Sequence, residues 1–170
     1  MSQVLLAMTI QMVTRRMTEV LFYHLQDMRL EAVLPPLIEK SLERGWRVVV
    51  QAGSEERAEA LDSHLWTYRD DSFLPHGTWR ESDAAEQPVV LTVRDDNPND
   101  ATVRFLVDGA AVPEDCTAYQ RIVLIFDGDD DGALQAARAA WTDCKARGYE
   151  QTYWQADERG RWQRKDGGGT

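Results

Sequence analysis

The residues with the most chemical potential in this chain form one acidic run, Phe126-Asp127-Gly128-Asp129-Asp130-Asp131-Gly132, at the end of a hydrophobic segment and just before a helical one. Carboxylates at alternating positions hold hard divalent cations, so metal binding is the first chemistry to consider. Read as a calcium loop, the run supplies the D-x-D-x-D-G opening, but the twelfth position, which needs a bidentate glutamate, is Arg138. A cation at that position rules the calcium reading out.

As a magnesium site, Asp127 and Asp129 resemble the Asp-x-Asp corner of toprim domains in primases and topoisomerases, where carboxylates hold a metal for phosphoryl transfer. That chemistry also draws on a glutamate at the end of an earlier strand, and here the first strand ends Tyr23-His24. A simpler account has Asp129, Asp130 and Asp131 capping the following helix and complementing its positive end. Capping is the reading adopted; a magnesium-dependent phosphoryl-transfer enzyme using Asp127 and Asp129 is the alternative. The three histidines, His24, His64 and His76, share no ligand spacing, and no serine or cysteine stands in a nucleophile-elbow context. No catalytic residue, cofactor or metal site is therefore expected.

Recognition chemistry is better supplied. Over 133–147, at about 100° per residue, Ala133, Ala136, Ala137, Ala140 and Cys144 make a small-residue face suited to close packing on a sheet. About a quarter turn away runs a second stripe, Leu134, Arg138, Trp141 and Lys145. An indole flanked by cations at the border of a buried face suits an acidic or carboxylate-ended peptide. The alternative is that Trp141 tucks under a neighbouring loop. A second aromatic block, Leu65-Trp66-Thr67-Tyr68-Arg69-Asp70-Asp71-Ser72-Phe73-Leu74-Pro75-His76-Gly77, reads as an irregular segment, because its acids, proline and glycine oppose regular structure. Aromatics in a surface segment either fold back or meet a partner. His76, fixed between Pro75 and Gly77, is expected to act through a hydrogen bond.

These groups need a scaffold, and the hydrophobic periodicity supplies one. Strands are predicted over 20–24, 46–51, 88–93, 102–107, 121–126 and 149–155, with a turn at 158–160 before Arg161-Trp162-Gln163. Helices are predicted over 30–44, with Pro35 and Pro36 in the first turns, from the Ser54 cap to Leu65, and over 133–147. Gly45 and Gly148 close the first and last of them. Alternating strands and helices imply a three-layer, Rossmann-like α/β domain with a largely parallel or mixed sheet and helices on both faces. The turn after the first strand, His24-Leu25-Gln26-Asp27-Met28-Arg29, has no glycine to let backbone approach a pyrophosphate, so no nucleotide site is expected.

With 19 basic against 29 acidic residues and a net charge of -10, the surface should repel nucleic acid phosphates, so any contact with DNA is expected to be indirect. Cys116 and Cys144 show no C-x-x-C pairing, which fits a reducing cytoplasm. Residues 1–16 read as a leader, a non-native start or a flexible extension, since Arg15-Arg16 follows the apolar run instead of preceding it. Residues 17–163 read as one domain and 164–170 as a disordered tail. No apolar stretch reaches membrane-spanning length.

Taken in order, FYHL, a helix, GWRVVVQAGSEERAEALDSHLWTYRDDSFLPHG, PVVLTVRDDNPNDATVRFLVDG and RIVLIFDGDDDGALQAARAAWTDCKARGYEQTYWQ resemble the chi subunit family of the bacterial DNA polymerase III holoenzyme, over 18–162. The LW…SFLPH block and the strand, acidic run, helix and Gly-aromatic ending carry the resemblance together. It implies a nucleotide-binding-like fold without nucleotide, and a subunit of a DNA-directed DNA polymerase with no polymerase activity of its own. It also implies attachment to the clamp loader through the psi subunit, and binding of the acidic, carboxylate-ended tail of single-stranded-DNA-binding protein. An acidic protein can bind such a tail through a local basic pocket. By position, the family's tail-binding arginine falls on Arg138 and its neighbouring aromatic on Trp141. The next position, usually basic, is Thr142, with Lys145 one turn further along the stripe. The aromatic block matches the family's surface for psi, or for a helicase that can replace psi, with Trp66, Phe73, Pro75 and His76 as the contacts. Residues before Met17 have no family counterpart.

Overall fold

Residues 20–22, 48–50 and 122–126 are apolar runs in which every residue is buried, the pattern of strands covered on both faces. In the computed structural model, which describes residues 18–68 and 74–165, all three lie inside one eight-stranded sheet. Its strands are β1 (Glu19–Leu25), β2 (Val48–Gln51), β3 (Gly77–Thr78), β4 (Val89–Thr92), β5 (Val103–Leu106), β6 (Arg121–Asp127), β7 (Glu150–Ala156) and β8 (Trp162–Lys165). They are arranged β3-β4-β2-β5-β6-β1-β7-β8, with every neighbouring pair parallel except the β7–β8 hairpin. Arg164 and Lys165, expected in the tail, pair with Trp154 and Tyr153 and so extend the sheet.

Side chains alternate across the sheet. Leu21, Val50, Phe105 and Val123 join one core with Leu34 and Ile38 of α1 (Leu30–Glu43) and Leu61 and Leu65 of α2 (Glu55–Thr67). Val20, Phe22, Leu124 and Phe126 join the other with Ala137 and Cys144 of α3 (Asp131–Ala146). The layers are therefore the expected ones, with helices on both faces. The aromatic block is more regular than its composition suggests. Leu65, Trp66 and Thr67 form the last turn of α2, because Leu65 prolongs the buried i, i+4 series from Leu61.

Helices α1 and α3 end alike. The Trp46 and Tyr149 amides reach back to the carbonyls of Ser41 and Cys144, across Gly45 and Gly148 in the left-handed conformation. Inside α1, Pro35 and Pro36 lie beyond the first turn, so the carbonyls they would serve lose their helical donors. His64 of α2 replaces one of them, its Nε2–H donating to the Glu31 carbonyl at 2.7 Å. A proline defect in one helix thus becomes a tie to the next.

Parallel strands usually return through a helix, yet neither the β4–β5 nor the β5–β6 connection holds one. Arg104 of β5, wholly buried, organises both. Its guanidinium donates to Gln51 Oε1 at 2.6 and 3.1 Å, to the Asp96 carbonyl at 2.8 Å and to the Arg94 carbonyl in the first connection. It also donates to the Tyr119 hydroxyl at 2.9 Å in the second. All five N–H groups are thereby used without a carboxylate. Arg104→Met would leave four acceptors without their donor, and urea unfolding should show a loss of about 3 kcal/mol or more. Arg104→Lys should restore little of it, because an ammonium cannot reproduce the planar fork.

Candidate functional site

The acidic run after β6 is consumed by local geometry. Asp130 is the N-cap of α3, accepting the Ala133 amide at 3.0 Å, and Asp131 sits in the first turn where the helix dipole favours it. Asp129 is not a cap as expected: its carboxylate accepts the Asp27 amide at 3.1 Å, pinning the turn after β1 to the turn after β6. Asp127 accepts the Asp129 amide at 2.9 Å. Among the described residues, no group of three or more His, Cys, Asp or Glu is arranged to hold a metal ion.

Between the carboxyl ends of β1 and β6 a doubly wound sheet leaves its usual ligand crevice. Here the His24 ring fills that place. A Cβ on Gly128 would lie 1.8 Å from His24 Nε2, so glycine is required for the two turns to close. The His24 Nδ1 shares a hydrogen bond with the Tyr153 hydroxyl, and the Gly128 amide donates to the Leu25 carbonyl at 2.7 Å. Burial draws the imidazole below its ordinary range against the pull of Asp129 and Asp127, with Arg138 adding to the lowering, so at neutral pH the ring is uncharged.

Helix α3 carries the expected two stripes, with one change. Ala137 and Cys144 are buried and Ala133 and Ala140 half-buried, but Ala136 faces solvent. Burial pushes the Cys144 thiol up to about 11, which leaves it a neutral packing group. Trp141 does not tuck under a loop. It is half-buried at the sheet, edge-on to Phe22 at 5.1 Å and to Tyr153 at 6.0 Å between ring centroids. Beside this aromatic shelf, Arg138 is exposed and its guanidinium has no ion pair among the described residues, while its charge reaches both His24 and Tyr153. Lys145 is exposed further along. Thr142 turns its hydroxyl back onto the Arg138 carbonyl at 3.2 Å. The Gln151 amide, not singled out in the sequence, donates to the Trp141 carbonyl at 3.0 Å and fixes that turn against β7.

The second surface lies far along the fold at the end of α2. Trp66 is 52% exposed and its ring lies 4.4 Å from that of His76. His76 itself is only 3% exposed, so it backs the surface instead of facing a partner. Its Nδ1 faces the Leu74 carbonyl at 2.7 Å and its Nε2 the Asp62 main-chain carbonyl at 3.3 Å, with the Asp62 carboxylate 3.0 Å away, the hydrogen-bonding role expected of it. Pro75 is half-buried beside it; Phe73 lies outside the described residues.

Fold and surface together define an α/β domain with its acidic run engaged in turns and a cation and aromatics presented on α3. The family model described as "DNA polymerase III chi subunit, HolC" matches residues 17–152. The chain belongs to that family, and with it to the accessory subunits of DNA polymerase III in DNA replication. A protein of Rickettsia prowazekii named "Probable DNA polymerase III subunit chi" is 31% identical over 112 residues, covering 62% of this chain and 67% of the relative. The DNA polymerase III subunit chi of Pseudomonas aeruginosa is 26% identical over 115 residues, covering 66% and 77%.

The closure of β1 onto β6 is testable as a coupling. Gly128→Ala should lower stability by about 1–3 kcal/mol through overpacking against His24. In a His24→Ala background the same substitution should cost much less, and a denaturant double-mutant cycle measures the difference.

Proposed function

We propose that this protein is a non-catalytic connector that links the clamp loader to single-stranded-DNA-binding protein by docking that protein's acidic C-terminal tail against α3. The observation that carries the reading is Arg138, an exposed guanidinium with no ion pair among the described residues, beside the Trp141–Tyr153 shelf. A guanidinium fork can take a carboxylate in two hydrogen bonds, and a half-buried ring beside it offers an apolar seat for an adjoining side chain. Lys145 extends the positive stripe, in place of Thr142 whose hydroxyl is turned onto its own helix. Trp66 and Pro75 form the second surface, for psi or for a helicase in its place, so DNA is reached only through partners.

Calorimetric titration with a synthetic tail peptide bearing a free C-terminal carboxylate should show binding that weakens as salt rises. Arg138→Ala should weaken it about 30-fold, the equivalent of losing one anchor worth about 2 kcal/mol. An unchanged affinity in that variant would remove α3 from the role.

A further inference from the structure

On the opposite face of the sheet from α3, a cleft of about 620 Å³ opens between α1 and the β7–β8 hairpin. It exists because helices pack 8–10 Å apart and two of them cannot span eight strands spaced about 4.8 Å. Its floor is apolar, made by Leu21, Phe105 and Val123 at the middle strands. Trp154 and Trp162 of the hairpin form one wall and brace Tyr23 between them, stacked at 6.1 Å and edge-on at 4.8 Å. The match to the family model ends at residue 152, inside β7, so most of this hairpin lies beyond it.

The rim is cationic on a protein whose net charge is -10. Lys40, Arg44, Arg121 and Arg161 line it, against Glu19 alone among acids. Arg44 and Arg121 both lie over Trp46, at 5.0 and 5.2 Å, and the charges of both reach the Tyr23 phenol, so they sit toward the cleft. Arg161 is partly held by Asp157 at 3.2 Å and Arg121 by Glu19 at 3.6 Å; Lys40 and Arg44 have no ion pair among the described residues.

An apolar floor under a basic rim is complementary to a peptide with an apolar anchor and flanking carboxylates. The alternatives fit less well. Glu19, Val103 and Arg121 place the cleft at the amino ends of β1, β5 and β6, opposite the end where such folds take nucleotides. A nucleic acid strand would need free ring faces to stack on, whereas the floor is largely aliphatic and Trp46 already carries two guanidinium groups.

We propose that this cleft is a third docking site, separate from the α3 and Trp66 surfaces, which takes an acidic peptide segment of a partner protein with an aromatic or aliphatic side chain seated on the floor. The six tryptophans supply the test, since each indole N–H is a separate reporter in a nitrogen-15 correlation spectrum. The probe is an N-acetylated, C-amidated peptide, Asp-Asp-Asp-Phe-Asp-Asp-Leu, which lacks the terminal carboxylate of the tail peptide. Its addition to the full chain should move the Trp46, Trp154 and Trp162 signals and leave Trp141 in place. Affinity should fall at least tenfold in a Lys40→Glu, Arg161→Glu variant, both positions being exposed, and again in Arg121→Gln, while Arg138→Ala leaves it unchanged. No movement of the three signals at millimolar peptide overturns the proposal. So does a thymidine octanucleotide that moves them where the peptide does not. Loss of tail binding at Trp141 alone would count against the α3 reading and not against this one.

Discussion

A guanidinium without a carboxylate holds the middle of this sheet. The chain makes two parallel returns, from β4 to β5 and from β5 to β6, through segments too irregular to satisfy their own backbone groups as a helix does. Carbonyls turned inward from such segments need donors, since an unmade hydrogen bond in the interior costs more than a made one contributes. Arg104 delivers five donors from one side chain in a fixed plane, and it spends them on Gln51, on two carbonyls of the first return and on the hydroxyl of Tyr119 in the second. The loops can then cover β2 and β5 on the part of the sheet face that α3 does not reach. With that face sealed, α3 is left to pack on β6, β1 and β7 and to turn Arg138 outward.

Much of the architecture was legible because it rests on local rules. Long apolar runs announced β1, β2 and β6, Ser54 announced the start of α2, and Gly45 and Gly148 marked the ends of α1 and α3. The misses have a common cause, which is that the deciding contact is distant in sequence. Strand β3 is two residues long and exists only because Gly77 and Thr78 lie beside Val90 and Leu91. Strand β8 has little hydrophobic signal of its own and is drawn into register by β7. Nothing near Arg104 in the chain says that a charged residue inside an apolar strand will be buried. Likewise the exchange of a proline-orphaned carbonyl for a histidine donor joins Glu31 to His64.

The candidate site was legible in the same partial way. Helical spacing alone puts Arg138, Trp141 and Lys145 on one stripe, but it cannot say that Trp141 is braced by Phe22 and Tyr153 from two different strands. The acidic run shows the limit of motif reading. Its carboxylates are spaced as metal ligands would be, yet the same spacing satisfies amides at Asp27, Asp129 and Ala133. Acidic side chains elsewhere are used similarly: hydrogen bonds from Thr117 hold the Asp115 carboxyl below its ordinary range, and those from Arg161 and Arg159 do so for Asp157. A strongly acidic chain thus invests many carboxylates in turns and leaves its cations to define surfaces.

The place of β1 in the sheet has a consequence for how the molecule comes into being. It is the earliest strand among the described residues, yet its two neighbours are β6 and β7, with Glu19 opposite Arg121 on one side and Glu150 on the other. During synthesis it must wait, apolar and unpaired on both edges, until nearly the whole domain has left the ribosome. Pairing across such separations carries a large loop-closure cost and makes folding slow. An interior strand made first is therefore locked only late, and the nascent chain is most exposed to misassociation just before its final hairpin appears.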